Sequence, residues 1–409
     1  MNINPKIIQA EKALQPQMQK LEEIALYNQD KIMQAFQDNR VALRHFVGST
    51  GYGHDDVGRE LLSRVFAQCV GAQSAIVSPA LAGASHALKV ALYGMLRPND
   101  TLLSITGKPY ETLDEVIFGV PDKDNGSLKD FGVKYSQIDL LDNGEFNYDE
   151  IIKQAKLNPK LIFIQRSRGY FWRDALSIEK IKNVITKIRE VNKTAYIMVD
   201  NCYCEFVEKQ EPTDVGANII AGSFMKNPGG GLAPNGAYIA GDDDCIDWIA
   251  GAFTSPSLKL EIGSYEPGYR LFFQGLFMAA HTTLQALKSS MLFGKVLQDA
   301  GYKVLPKAGE DLYDITRSIE LGSKEAMYQF CKAIQHSAPV DSFLTPEPCD
   351  MAGYKDQVIM AAGAFVQGAS IELSCDGPVK SPYIIYMQGA LTYEQAKLAL
   401  NKCLKYMGK

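Results

Sequence analysis

Between Ser74 and Asp200 the chain alternates short apolar runs with longer segments of helical spacing. The runs Ser74–Val77, Thr101–Ile105, Lys134–Ile138, Leu161–Gln165 and Ala195–Asp200 predict strands, and Ser85–Met95, Asp149–Lys156 and Ile178–Val191 predict helices. This rhythm predicts an α/β fold with a largely parallel sheet covered by helices on both faces. Ile219–Ala221 and Ala237–Ala240 read as two further strands that could form an antiparallel edge, their pairing left open. Ahead of the sheet, residues 6–45 carry helical spacing, as in Leu21-Glu-Glu-Ile-Ala-Leu26, and predict two amphipathic helices. Inside one subunit that arm has no obvious partner for its apolar face, so it is expected to pack on a neighbour. Helical periodicity from Tyr269 to Asp299 is long enough to bridge two domains. Beyond it, strands at Tyr302–Leu305, Gln357–Phe365 and Ser370–Ser374, with helices Lys324–His336 and Thr392–Tyr406, predict a small α+β unit. The expected division is therefore an arm at 1–47, a large domain at 48–298 and a small domain at 299–409.

At 409 residues and 46% hydrophobic, the chain exceeds the usual size of one compact domain. Its net charge of −5, without a basic block, offers no field for a nucleic-acid backbone. The eight cysteines show no zinc or redox spacing, Cys202 and Cys204 being the close pair, and are read as reduced thiols with no metal site. The N-terminus lacks a signal-peptide core and no run reaches the roughly 18 to 20 apolar residues of a membrane span. A cytoplasmic protein without membrane or nucleic-acid partners is the expectation.

Chemistry concentrates at strand ends. Asp200 closes an apolar strand, where open α/β sheets keep their ligands, and Lys226 follows the next strand in Ser223-Phe-Met-Lys226, ahead of Gly229-Gly-Gly231. An acid to pair with a pyridinium nitrogen and a lysine to form a Schiff base are what a pyridoxal phosphate enzyme requires. Taken alone, the lysine could be a surface residue, the glycines a flexible loop and Asp200-Asn201 a turn; their joint order carries the argument. Pro79-Ala-Leu-Ala-Gly-Ala-Ser-His86 lies at a strand-to-helix junction suited to a phosphate, with Ser85 either a ligand or merely the helix cap. Tyr110 ends another strand, at the height for stacking on a cofactor ring, and Arg166 and Arg168 follow a further strand as cations suited to a carboxylate. The glycine-spaced loop Gly48–Arg59 carries Tyr52 and either caps the next helix through Asp55 or Asp56 or delivers the tyrosine to an active site.

The motifs Ser49-Thr-Gly-Tyr-Gly-His-Asp-Asp-Val-Gly-Arg59, Gly83-Ala-Ser-His86, Gln165-Arg-Ser-Arg-Gly-Tyr170, Lys226-Asn-Pro-Gly-Gly-Gly-Leu-Ala-Pro234, Asp376-Gly-Pro-Val-Lys-Ser-Pro-Tyr383 and Tyr386-Met-Gln-Gly-Ala-Leu-Thr-Tyr393 together resemble the methionine gamma-lyase-like family. Its members are often labelled aluminium resistance proteins or candidate cystathionine beta-lyases. The resemblance implies the aspartate aminotransferase-type (type I) pyridoxal phosphate fold, a homodimer or homotetramer with shared sites, and a carbon–sulfur lyase acting on a sulfur-containing amino acid. It implies Lys226 as the Schiff-base lysine, Asp200 as the pyridinium partner and Tyr110 as the stacking aromatic. Ser223 with the Ala84, Ser85 and His86 backbone would form the phosphate cup, and Tyr52 would reach the neighbouring subunit's phosphate. The chain departs from the family where Ser-Gly-Thr-His becomes Gly83-Ala-Ser-His86, where Ser78 and Ala80 replace an expected arginine and glutamine, and where His54 replaces the second aromatic of the tyrosine loop. Tyr386 falls near the carboxylate-binding arginine of related lyases, so Arg168, then Lys380, with Arg166 nearby, are the expected substrate cations. A transaminase, a desulfhydrase or a non-catalytic cofactor-binding homologue stays open beside the lyase.

Overall fold

A computed structural model, which describes residues 3–409, orders the chain as two sheets bridged by two long helices. The large sheet has seven strands, β1 (Ser74–Ser78), β2 (Thr101–Ser104), β3 (Lys134–Gln137), β4 (Leu161–Gln165), β5 (Tyr196–Asp200), β6 (Ile219–Ser223) and β7 (Ala237–Gly241). Their order is β1-β7-β6-β5-β4-β2-β3. Strands β3, β2, β4, β5 and β6 run parallel, while β7 lies antiparallel between β6 and β1. The β6–β7 pair is thus antiparallel but internal, not an edge. Strands β4 to β7 are buried along their length apart from Tyr196, as doubly covered strands must be.

Ten helices accompany the sheets: α1 (Pro5–Asp38), α2 (Val57–Cys69), α3 (Ala84–Met95), α4 (Asp114–Phe118), α5 (Tyr148–Ala155), α6 (Ile178–Val191), α7 (Asp243–Phe253), α8 (Arg270–Asp299), α9 (Lys324–Gln335) and α10 (Tyr393–Tyr406). The smaller sheet is antiparallel, in the order β10 (Val358–Ala361), β11 (Ser374–Pro378), β12 (Ile384–Gln388), β9 (Thr316–Glu320), β8 (Lys303–Leu305). Its two innermost pairings involve strands β9 and β12, neither of them among the expected strands, although Ile384-Ile-Tyr-Met387 is itself an apolar run. Arg317 explains part of the omission: it is buried within β9, donating to the carbonyls of Ser290 and Pro306. The strand expected at Ser370–Ser374 is displaced to Ser374–Pro378, where Gly377 lets β12 approach; a Cβ there would stand 2.4 Å from the Ile384 carbonyl.

The two expected N-terminal helices are one, α1, followed by a short 3₁₀ turn at Leu43–Phe46. Asn4 caps it, accepting from the Lys6 N–H, and Pro5 opens its first turn. Its apolar stripe is used within the same chain, contrary to the expectation of a neighbour. Ile7, Ala10, Leu14, Met18 and Leu21 join the small-domain core, and Ile32 and Ala35 join the core of the large sheet. Between those halves the buried Asn28 donates to the carbonyls of Phe206 and Glu208, at 3.0 and 3.1 Å. The arm thereby anchors the loop that follows Asp200. No helix among the described residues is long and apolar enough to cross a membrane.

Candidate active site

Strand register brings the chemistry together. Gln165 pairs with Asp200 across β4 and β5, and Asp200 pairs with Ala221 across β5 and β6, so the parallel strands end side by side. Lys226, five residues beyond Ala221, then turns back over the sheet end through the 3₁₀ turn Asn227–Gly229. One cavity is lined by Asp200, Lys226, Tyr110 and the first turn of α3 from the large domain, and by Asp376, Tyr386 and Gln388 from the small one.

The glycines after Lys226 are not a loose loop. Gly229 and Gly230 are buried against Gly275 of α8; a Cβ on Gly230 would stand 2.3 Å from the Gly275 carbonyl, and one on Gly275 would stand 2.2 Å from the Gly229 carbonyl. Gly230 also holds φ 54°, which favours glycine. Gly275→Ala should therefore destabilise the protein by about 1–3 kcal/mol through overpacking, although helix propensity alone predicts a gain of about 1 kcal/mol. Thermal melts of the variant check the sign.

Around Lys226 the environment is aromatic and acidic. Its ammonium lies 4.0 Å from the centroid of the Tyr203 ring. Burial opposes its charge, but Tyr203, Cys202 and Glu205 outweigh that, and its pKa is raised. Asp200 is buried, and Oδ1 accepts the Cys202 N–H at 3.1 Å. Burial raises its carboxyl pKa, against the opposing pull of that N–H, the Cys202 thiol and Lys226. Tyr110 is held on edge by neighbouring rings, its hydroxyl 2.6 Å from that of Tyr354 and its ring centroid 6.0 Å from that of Tyr170.

Helix α3 begins at Ala84, capped by Gly83 without a side-chain bond, so Ser85 is not its cap. The Ser85 hydroxyl shares a 2.7 Å hydrogen bond with Thr112, and the first N–H groups of α3 are left for an anion. His86 accepts the Ala82 N–H at Nδ1, and burial lowers its pKa. Ser223 Oγ is buried with no hydrogen-bond partner among the described residues. Asp56, not Asp55, caps α2, accepting from Gly58 and Arg59, while Tyr52 is 72% exposed and does not line this chain's cavity.

The expected substrate cations are engaged elsewhere. Arg166 ion-pairs with Glu208 and Glu211, donates to Asn201 and does not line the cavity. Arg168 makes two bonds to Asp314, at 3.0 and 3.2 Å, and donates to the Leu305 carbonyl. A buried guanidinium needs such partners, and the acids that satisfy both lie far along the chain from their arginines. Lys380 ion-pairs with Asp356 at 2.5 Å beside an adjoining cavity of about 260 Å³. Tyr386 does line the site, yet its hydroxyl is committed to the Tyr170 carbonyl at 2.7 Å.

The structure adds residues that the sequence reading missed. Tyr203 follows Asp200 by three positions and holds φ 70°, a conformation rare for a tyrosine; the Asp-x-x-Tyr spacing was the available signal. Glu205 is fully buried beneath the site, accepts the Tyr238 hydroxyl at 2.7 Å, and is pushed up to about 8 by burial. Asp376, the first residue of the motif that runs to Tyr383, also lines the cavity.

The model of the family described as methionine gamma-lyase matches residues 3–408. The chain belongs to the methionine gamma-lyase family. A relative from Bacillus subtilis (strain 168), the uncharacterized protein YnbB, is 43% identical over 381 residues, spanning 93% of this chain and 90% of its own. A solved carbon–sulfur lyase involved in aluminum resistance from Clostridium novyi NT is 44% identical, with a TM-score of 0.93, covering 98% of this chain and 96% of that one. The pyridoxal-5'-phosphate dependent protein YhfS from Escherichia coli shares the fold at a TM-score of 0.62 and 15% identity, covering 95% of this chain and 97% of that one. The fold is thus the type I pyridoxal phosphate fold, and membership in the methionine gamma-lyase family implies that cofactor. The residues present fit it: an orphaned buried hydroxyl at Ser223, an uncapped α3 N-terminus, and a lysine and an acid on adjacent strand ends.

Proposed function

We propose that this protein is a pyridoxal phosphate-dependent carbon–sulfur lyase that acts on a sulfur-containing amino acid by α-proton abstraction and β- or γ-elimination. The observation that carries the reading is the placing of Lys226 and Asp200 in one cavity by the β5–β6 register. Lys226 would anchor the cofactor, Asp200 would face its ring nitrogen, Tyr110 would stack on the ring, and Ser223, Ser85 and the N–H groups of Ala84, Ser85 and His86 would hold its phosphate. When bound, the cofactor supplies an electron sink that weakens the bonds at the substrate Cα. Lys226 would be the base for the Cα proton, and its surroundings favour the protonated form that results. Asp200, buried and shielded from water, would face the ring nitrogen and pair with the proton held there. A panel of thiol-bearing amino acids tests the reading through the keto acid released. Pyruvate marks β-elimination and 2-oxobutyrate γ-elimination; release of neither, with cofactor bound, would refute the lyase.

Assembly supplies a second test. Tyr52 is exposed on its own chain, in a loop whose Tyr52 carbonyl accepts the Gly263 N–H, and it is free to serve a neighbour. In a two-fold dimer with shared sites, Lys226→Ala and Tyr52→Phe chains should complement each other, provided Tyr52→Phe alone is severely impaired. Random pairing makes half the dimers mixed with one intact site each, so about a quarter of wild-type activity should return. No recovery in verified heterodimers would assign Tyr52 to its own subunit or to no site.

A further inference from the structure

Besides Asp200, the cavity has one other acid, Asp376, contributed by β11 of the small domain with its Cα opposite that of Tyr386 on β12. The Tyr170 phenol and Gln388 lie near enough to its carboxyl to favour the ionised form. It makes no ion pair among the described residues; Lys226 acts on it from beyond that distance. The titratable groups that act on it or feel its charge are Lys226, Tyr170, Tyr110, Tyr354, Tyr386 and, from the opposite face of β11, the buried thiol of Cys375. An acid without a cation, in a site that must receive an amino-acid carboxylate, meets like charge when ionised. Burial already pushes it up to about 6, against the opposing effects of Tyr170, Lys226 and Gln388. That lies close to the range in which an acid both holds its proton and gives it up readily.

We propose that Asp376 is the general acid that protonates the departing sulfur, an inference that rests on the lyase reading above. As the carbon–sulfur bond breaks, its electron pair stays with sulfur and the proton of the Asp376 carboxyl moves to it. The thiol leaves, and Asp376 remains as a carboxylate, a form that Tyr170 and Gln388 favour, until solvent returns a proton. Asp200 does not serve this role, because it rises from the large sheet with its Oδ1 bound to the Cys202 N–H and is assigned to the ring nitrogen.

The test uses the holoenzyme and Asp376→Asn, with Asp376→Glu as the conservative variant, on S-methylcysteine, an electron-poor S-arylcysteine and β-chloroalanine. Loss of kcat in Asp376→Asn should be about 10²–10³-fold on the alkyl thioether, smaller on the aryl thioether and smallest on the chloride, which leaves without a proton. Glutamate should restore part of the alkyl rate. In solution ¹³C spectra, the Asp376 carboxyl should titrate near 6 and its signal should vanish in Asp376→Asn. Tyr170→Phe should move that midpoint upward, because the phenol favours the ionised form. Equal loss on all three substrates, a rise in KM with kcat intact, or a midpoint at the ordinary carboxylate value of about 4 would each overturn the proposal. A wild-type enzyme that eliminates chloride but never a thiol would overturn it while leaving elimination chemistry in place. Failure of the wild type on every substrate would sink the lyase reading, and this proposal with it.

Discussion

Lys226→Ala should lower turnover by about four powers of ten or more, because it removes both the covalent anchor and the base for the Cα proton, and general-base catalysis alone contributes roughly 10²–10⁴-fold. The parent protein should be yellow, and borohydride should fix the cofactor onto the peptide that contains Lys226. The variant should show neither property at equal cofactor concentration. The structure makes this a chemical loss rather than a folding one: Lys226 makes no ion pair among the described residues, and its main contact is the face of Tyr203. Replacing it by alanine leaves the backbone bonds from the Lys226 N–H to the Ser223 carbonyl and from the Gly229 N–H to the Lys226 carbonyl possible. A protein that never takes up colour with pyridoxal phosphate would end the cofactor reading.

Asp200→Asn is the second large effect, expected at about two to three powers of ten in kcat with the cofactor retained. The amide keeps the size of the carboxylate and can still accept the Cys202 N–H through its oxygen, so the turn after β5 should survive. What it loses is the negative charge, worth most in a buried, water-poor site. Absorbance spectra report retention and keto-acid release reports rate. Near-normal turnover would move the ring-nitrogen partner to another residue. Glu205 is the nearby alternative, but its Oε1 is already bound by the Tyr238 hydroxyl.

Much of the large domain was legible because its information is local. Buried parallel strands read as apolar runs, and helices α3, α5 and α6 show a 3.6-residue period. The small domain was less legible, because β9 carries a buried arginine and β11 contains Gly377 and Pro378, so neither follows the apolar or alternating pattern. The candidate site divides in the same way. Lys226, Asp200 and Tyr110 follow strand ends, where topology places ligands, and the cavity receives all three. The partners of the expected substrate cations were not legible, because a guanidinium's partner is a matter of distance in space: Arg168 finds Asp314, 146 residues away.

The sequence by itself determined the seven strands and helices α3, α5 and α6 of the large domain, though not α4 or α7, and that a lysine and an acid lie at the ends of neighbouring strands. Side-chain periodicity records which residues must leave water, and that record is complete within each segment. The tertiary structure decided the antiparallel insertion of β7, the use of α1's apolar face within its own chain, the neutralisation of Arg166 and Arg168, and the arrival of Asp376 in the same cavity as the large-domain acid. Each of these depends on a pairing between distant parts of the chain. Such a pairing is selected by competition among all possible partners, through buried area and satisfied charge, and no local pattern states its outcome.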